Sequence, residues 1–280
     1  MRVLLADSGG SKTAWALLDK ELGKVSYHQG RGLNPNVLEK AELEMELKAI
    51  ADAFGNVESV EFYGAGCSTA GNASMLKALL QSHFVGAQIH VSGDLLCAAK
   101  AVLGKKAGIV GILGTGSNSA YFNGGEIVKS RPSYGYLLGD EGSGTAIGKR
   151  FLKAAIENEL SANLQKLVKA SFSIGEEEVV DKLYHQKIAL PKYFGSFTPF
   201  VAKHMPEFPE LSDLVKQEFQ LYVKYFLNVY ENANQLPVGM VGSIAWYFQQ
   251  ELREVLAEAS FQLIKVEKSP LEALVKQHLD

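Results

Sequence analysis

No apolar run in the 280-residue chain approaches the ~18–20 residues that a membrane-spanning helix needs. Before Asp7 there is one charge, Arg2, but no long apolar core and no small-residue cleavage site, so a secretory leader is not expected. Cysteine is scarce. Cys67 and Cys97 stand 30 residues apart, with no CxxC and no His cluster beside them. A structural zinc site is therefore not readable, and a reduced, cytoplasmic protein is expected. Neither sign of charge dominates: Lys+Arg 28 against Asp+Glu 31 gives a net −3. That balance argues against a general polyanion-binding surface, and so against a nucleic-acid partner, while leaving room for a small phosphate site. Two common nucleotide loops are also missing, since neither GxxxxGK[ST] nor GxGxxG occurs.

What is present is an ordinary globular mix, with 47% hydrophobic and 21% charged residues. At ~150 residues per domain the length suggests two domains, each large enough to bury a core without staples. Glycine is mildly enriched, at 27 residues against the usual ~7%.

Hydrophobic periodicity orders the chain as alternating strands and helices. Strands over 2–7 and 14–19 form a hairpin around Ser8-Gly9-Gly10-Ser11, with a third strand over 23–29. An amphipathic helix over 39–53 precedes a strand at 57–63, a helix at 73–84, a strand at 87–91 and a helix at 95–103. A second hairpin, 108–113 with 120–122, follows. The rest reads as helical over 145–170, 176–186 and 210–232, punctuated by Pro191, Pro199, Pro206 and Pro209. A buried strand at 238–242 opens a helix at 243–258, then come a strand at 261–266 and a short helix from Pro270. Gly10-Ser11-Lys12-Thr13-Ala14-Trp15 aligns with Gly116-Ser117-Asn118-Ser119-Ala120-Tyr121, a weak internal repeat 106 residues apart. This alternation argues for an α/β protein with three-layer packing.

The glycines concentrate in turns with phosphate-binding character. Asp7-Ser8-Gly9-Gly10-Ser11-Lys12-Thr13 combines close backbone approach, hydroxyls, one cation and one carboxylate. Leu113-Gly114-Thr115-Gly116-Ser117-Asn118-Ser119 has the same character without charge. Each alone is equally a tight hairpin. Val238-Gly239-Met240-Val241-Gly242-Ser243 runs from strand into helix, which can present amide donors or let a flat ring pass the backbone. Asp94, in Ser92-Gly93-Asp94, follows a strand and opens a helix, so it reads either as an N-cap or as a carboxylate in a ligand crevice. Asp140-Glu141 carries the same two readings.

Together these loops resemble the actin-like ATPase superfamily, to which actin, hexokinase and the heat-shock chaperone ATPases belong. The first turn is similar to its first phosphate motif, Gly114-Thr115-Gly116-Ser117 to the second, and Gly239 through Ser243 to the adenosine motif. Tyr134-Gly135-Tyr136-Leu137-Leu138-Gly139-Asp140-Glu141-Gly142-Ser143-Gly144 and Gly32-Leu33-Asn34-Pro35-Asn36 narrow the likeness. They resemble the BadF/BadG/BcrA/BcrD-type ATPases, N-acetylglucosamine kinase branch. The resemblance implies two RNase H-like domains with an interdomain cleft. The N-terminal domain would span 1–106, with helix 269–280 packing back on it. The C-terminal domain would span 107–268 and carry a helical insertion.

The resemblance further implies an ATP-dependent sugar kinase acting on an amino sugar such as N-acetylglucosamine, with ATP and Mg²⁺ as cofactors and a homodimer as the expected assembly. By position, Asp94 would be the general base and also touch the sugar, and Asp7 would hold Mg²⁺. Ser8, Gly9, Gly10, Ser11, Lys12, Thr13, Gly114, Thr115, Gly116 and Ser117 would line the phosphates. Gly239, Gly242 and Ser243 would flank the nucleoside. Asn34 or Asn36, Tyr134, Gly135 and Asp140 would contact the sugar; relatives often carry Trp where this chain has Tyr134. The same family includes ATP-driven electron carriers that activate dehydratases through cysteine-held iron–sulfur clusters. Cys67, after Gly64-Ala65-Gly66, and Cys97, within the Asp94 helix, do not look like that cluster motif. A non-catalytic sugar or nucleotide sensor is the other alternative. A degenerate sensor would be expected to lose Asp7 or Asp94, and both are present.

Overall fold

Two five-stranded sheets organise the chain, and each is built in the same way. The computed structural model describes residues 1–10 and 12–279. The chain divides into two compact units, Met1–Lys105 with Ser269–Asp280, and Lys106–Lys268.

In the first unit, β1 (Arg2–Ser8), β2 (Lys12–Asp19) and β3 (Lys24–Arg31) form an antiparallel meander. β4 (Ser59–Gly64) and β5 (Gln88–Gly93) then extend the other edge in parallel, giving the order β3-β2-β1-β4-β5. Alternation along β1 sorts its side chains between two faces. Leu4 and Ala6 join Trp15, Val60 and Phe62 under α1 (Lys40–Phe54) and α2 (Ala70–His83). Val3 and Leu5 face the opposite way, with Cys97 of α3 (Asp94–Leu103) and Leu271, Leu274 and Val275 of α13 (Pro270–Leu279). The chain's last helix therefore completes the core of its first unit.

The second unit repeats the plan. β6 (Gly108–Leu113), β7 (Ser117–Phe122) and β8 (Ile127–Ser130) are antiparallel, while β9 (Pro237–Val241) and β10 (Gln262–Glu267) are parallel to β6. The order β10-β9-β6-β7-β8 is the same sequence of strand roles read from the other edge. The weak repeat between the two hairpins is thus a structural duplication. α4 (Gly135–Leu138) and α5 (Gly144–Ile156) follow the meander. Helices α6 (Ala162–Ser171), α7 (Glu176–Val180), α8 (Leu190–Gly195), α9 (Thr198–His204) and α10 (Pro209–Tyr222) are inserted between β8 and β9. α7 and α10 each continue as a π-helical turn, Asp181–His185 and Val223–Leu227. α11 (Ser243–Tyr247) and α12 (Gln249–Glu258) lie between β9 and β10.

The structure departs from the sequence expectation in places with clear causes. β8 is an edge strand of four residues with little apolar alternation, too short to announce itself. The helix expected over 145–170 is two helices, broken at residues 157–161, where Asn158 takes a left-handed φ of 55°. The helix expected over 243–258 breaks at Phe248, whose φ and ψ of −110° and 31° leave the helical region.

Candidate functional site

The three parallel strands of the first unit end level with one another: Ser8, Gly64 and Gly93 stand side by side in register. Carboxyl ends of such strands are where open α/β sheets place ligands. Asp7 sits one residue before the end of β1, and Asp94 directly follows the end of β5. Asp94 is the first residue of α3, whose N-cap is Gly93, so the capping reading is corrected. Its Oδ1 instead accepts the neighbouring Leu95 N–H at 2.9 Å.

Both carboxyl groups are half-buried. Burial is the main cause that pushes Asp7 up to about 7; the charge of Asp94 adds to it and that of Lys12 opposes it. Asp94 is also raised by burial, against the pull of backbone donors including the Leu95 amide. Two carboxylates drawn out of water near one cation form a site that a further positive charge or a proton donor would stabilise.

The first glycine turn lies beside them. Gly9 N–H donates to Lys12 O at 2.9 Å, while Gly10 N–H has no acceptor among the described residues. Lys12 is exposed and forms no ion pair among those residues. Ser11 lies outside the described residues. The expectation for Ser8 and Thr13 needs correction. Both are fully buried; their hydroxyls lie 2.8 Å apart, Thr13 Oγ1 donates to Arg31 O at 2.8 Å, and Ser8 Oγ accepts Leu33 N–H at 2.9 Å. These hydroxyls hold the turn and are not free to meet a phosphate. Gly32 is held equally tightly, since a Cβ there would come within 2.6 Å of Gly9 O. That contact brings the Asn34-Pro35-Asn36 turn up to the first glycine turn.

Asn34 Oδ1 accepts Asn36 N–H at 2.9 Å. Asn36 Oδ1 accepts from Asn72 Nδ2 at 2.8 Å, and Asn72 Nδ2 also reaches Gly66 O at 2.8 Å. The two turn carboxamides thus have their oxygens engaged, and neither NH₂ group finds an acceptor among the described residues. The turn presents donors, suited to hydroxyl or carbonyl oxygens. Asn72, on α2, is a residue that sequence reading missed; its pattern offers no more than a polar residue early in a helix.

In the second unit the corresponding strand ends gather the remaining residues. Gly114 N–H donates to Gly116 O at 3.0 Å, closing the second glycine turn, and Thr115 and Gly116 N–H have no acceptor among the described residues. Gly144 N–H donates to Gly114 O at 2.8 Å, and Thr145 Oγ1 donates to Thr115 O at 2.7 Å, so the start of α5 braces the turn. Gly242, with φ 115°, packs so closely on Leu113 O that no side chain fits there. Ser243 begins α11 behind it. Asp140, itself in the left-handed region with φ 63°, accepts Ser117 N–H on Oδ1 at 3.1 Å. Burial raises its carboxyl despite that bond. The Ser117 amide is therefore committed to Asp140, while the Ser117 hydroxyl is buried without a partner among the described residues.

The remaining residues singled out in the sequence lie as follows. Gly239 is inside β9, within the strand expected over 238–242, paired with Val110 and Lys265 and two residues short of the strand end, so its amide is part of the sheet rather than of the turn at Gly242. Tyr134 is 56% exposed, with the Arg131 guanidinium 5.6 Å from its ring centre, and Gly135 follows with φ 65° at the start of α4. Cys67 and Cys97 are buried free thiols. Burial pushes Cys67 up to about 12, with Asp94 adding to it, and burial raises Cys97 as well. Thiols held protonated in this way are poor cluster ligands. Among the described residues no group of three or more His, Cys, Asp or Glu could hold a metal, and no helix is long and apolar enough to cross a membrane.

No family model matches the chain. An N-acetylmuramic acid/N-acetylglucosamine kinase of Clostridium acetobutylicum is 30% identical over 166 residues, which is 56% of this chain. The chain spans about half of that curated relative's length, 54%. A solved structure from Porphyromonas gingivalis, provisionally named an N-acetylglucosamine kinase, is 32% identical with a TM-score of 0.91, covering 99% of this chain and 98% of that one. A ROK family glucokinase from Streptomyces griseus, solved with glucose and AMPPNP, shares the fold at 16% identity with a TM-score of 0.60, covering 97% of this chain and 95% of that one.

Proposed function

Because the chain belongs to the sugar kinases of the actin-like ATPase superfamily, we propose that it transfers the γ-phosphoryl group of ATP to a hydroxyl of an amino sugar of the N-acetylglucosamine class. The observation that carries this reading is the Asp7–Asp94 carboxylate pair at the ends of β1 and β5, beside a turn with Lys12 and a free amide. The names of the Clostridium acetobutylicum and Porphyromonas gingivalis relatives support the amino-sugar class.

Phosphoryl transfer passes through a loose transition state, so the chain's work is positioning and charge neutralisation. Asp94 would accept a hydrogen bond from the attacking hydroxyl and take its proton as the new O–P bond forms and ADP departs. Its raised carboxyl is a better proton acceptor than an ordinary aspartate, and such help is worth roughly 10²–10⁴-fold. Lys12 and the open amides of Gly10, Thr115 and Gly116 would spread the phosphate charge. Asn34, Asn36 and Asp140 would orient the sugar, the two carboxamides through their unengaged NH₂ groups. Tyr134 and Gly135 would wall the sugar side, and Gly242 with Ser243 would pass the nucleoside.

The donor set fits Mg²⁺. Asp7 is a single raised carboxyl beside a second carboxylate, and Mg²⁺ is commonly held by one or two carboxylates with phosphates and waters. When bound, the ion would supply charge neutralisation on the phosphate oxygens. The electron-carrier alternative loses support because both thiols are buried and shifted away from the thiolate. Free thiols and an ATP co-substrate fit a cytoplasmic enzyme. A homodimer belongs to the same reading and is open to test by sedimentation.

An ADP-release assay over a panel of N-acetylglucosamine, N-acetylmuramic acid, glucosamine and glucose with Mg²⁺ tests the proposal. Stimulation by an N-acetylated sugar is expected; equal background release with every sugar would refute it.

A further inference from the structure

Asp140 takes a left-handed backbone conformation, uncommon for a non-glycine residue. The loop's own bonds are few: Ser143 N–H donates to Asp140 O at 3.1 Å, and Ser117 N–H donates to Asp140 Oδ1 at 3.1 Å. Behind the loop stands α10, which presents Glu218 and Tyr222 one turn apart. Glu218 is 4% exposed. Its Oε2 accepts Gly142 N–H at 3.3 Å, and its Oε1 accepts Arg150 Nε at 2.5 Å. Arg150 also donates to Gln217 Oε1 at 3.2 Å. Tyr222 closes the other side. A Cβ on Gly142 would come within 2.8 Å of Tyr222 Cβ, and Tyr222 Oη donates to Asn118 O at 2.9 Å, one residue beyond Ser117. One helix face thus grips both the loop that bears Asp140 and the strand that bears its partner amide.

A buried carboxylate is an expensive way to fill space, and an apolar residue of like size would pack at least as well. The charge does something an apolar residue cannot. It is anchored by Arg150 on one oxygen and sets the direction of the Gly142 amide with the other, two residues from Asp140. We propose that Glu218, held by Arg150, is a positioning residue that fixes Asp140 for its contact with the sugar, and so sets sugar affinity rather than the phosphoryl-transfer step. The proposal rests on the reading of Asp140 as a sugar contact.

The test compares Glu218→Leu, Glu218→Gln and the double variant Glu218→Gln/Arg150→Met with the parent, in steady-state kinetics and in amide hydrogen exchange. Glu218→Leu is expected to raise the sugar KM about tenfold, the scale of one charge-assisted hydrogen bond, with the ATP KM within about twofold. The double variant keeps an acceptor for Gly142 N–H without an unpaired charge, and is expected to bring the sugar KM back to within about threefold of the parent. Exchange at Gly142 and Ser117 should quicken in Glu218→Leu and return in the double variant. An unchanged sugar KM in folded Glu218→Leu would overturn the proposal. So would a uniform loss of active enzyme with both KM values intact and no rescue, the mark of a purely structural role. Should Glu218→Leu fail to fold, Glu218→Gln decides by the same split. Should the parent respond to no sugar, the kinase reading falls, and exchange decides the clamp: unchanged protection at Gly142 and Ser117 in the variants overturns it.

Discussion

Asp7 and Asp94 illustrate how a short side chain acquires its chemistry from where a strand stops. Their backbone positions follow from the register of β1, β4 and β5, which brings Ser8, Gly64 and Gly93 level. Burial then raises both carboxyls, the usual mark of a group kept for a reaction rather than for stability. Replacing Asp94 by Asn should therefore leave the melting temperature no lower than the parent's while reducing sugar-dependent ADP release by roughly 10²–10⁴-fold. Nucleotide affinity, measured by calorimetry, should stay within a few-fold. Asp7→Asn should weaken the response to Mg²⁺, read as a higher Mg²⁺ concentration for half-maximal rate; an unchanged Mg²⁺ dependence would remove Asp7 from that role. At this scale the sequence showed the residues but not their partners. Ser8 and Thr13 read as phosphate donors because a local string cannot reveal that Thr13 bonds Arg31 and Ser8 bonds Leu33. Asn72 and Glu218 escaped notice for the same reason: their significance lies in contacts 36 and 76 residues away.

At the scale of elements, close backbone approach does much of the work. Gly148, on α5, lies so near Phe194 O of α8 that an added Cβ would overlap it. Gly148→Ala should separate the two helices and cost on the order of 1–3 kcal/mol, read from a denaturant midpoint; a neutral effect would show that α8 adjusts freely. The last helix, α13, is fastened to the first unit by Leu271, Leu274 and Val275, and at its end by His278 Nε2, 3.4 Å from Glu61 Oε1. Glu61 is held down to about 2, first by His278 and then by the Tyr63 hydroxyl, which donates to it at 2.8 Å. A carboxyl depressed in the folded state stabilises fully above its unfolded value near 4.5 and loses that contribution as pH falls toward 2. Stability should accordingly fall between about pH 4.5 and 2, by at most about 3 kcal/mol from this group, read as a lower melting temperature. Glu61→Gln should flatten that part of the profile, and an identical profile in the variant would contradict the assignment. The strongly periodic strands were legible beforehand. β8, α4, α8 and α9 were not, because segments of four to seven residues carry too few positions for a period to emerge.

The whole molecule is a duplicated plan: two sheets with one order of strand roles, each opening with a glycine hairpin. The repeat between Gly10–Trp15 and Gly116–Tyr121 was visible in the chain because hairpin geometry restricts which residues can stand at its turn. The helical insertion between β8 and β9 was visible only as helical content, since its packing depends on long-range contacts such as Gly142 against Tyr222. The first unit carries the Asp7 and Asp94 carboxyls with Lys12, and the second carries the open amides of its glycine turn with the Asp140 carboxyl. Mass analysis of the sugar decides whether this chain phosphorylates it through Asp94, after incubation of N-acetylglucosamine with ATP, Mg²⁺ and either the parent protein or Asp94→Asn. A sugar heavier by one phosphoryl group is expected with the parent, and unchanged sugar with the variant. ADP formation without any phosphorylated sugar, or equal product from both proteins, would contradict it.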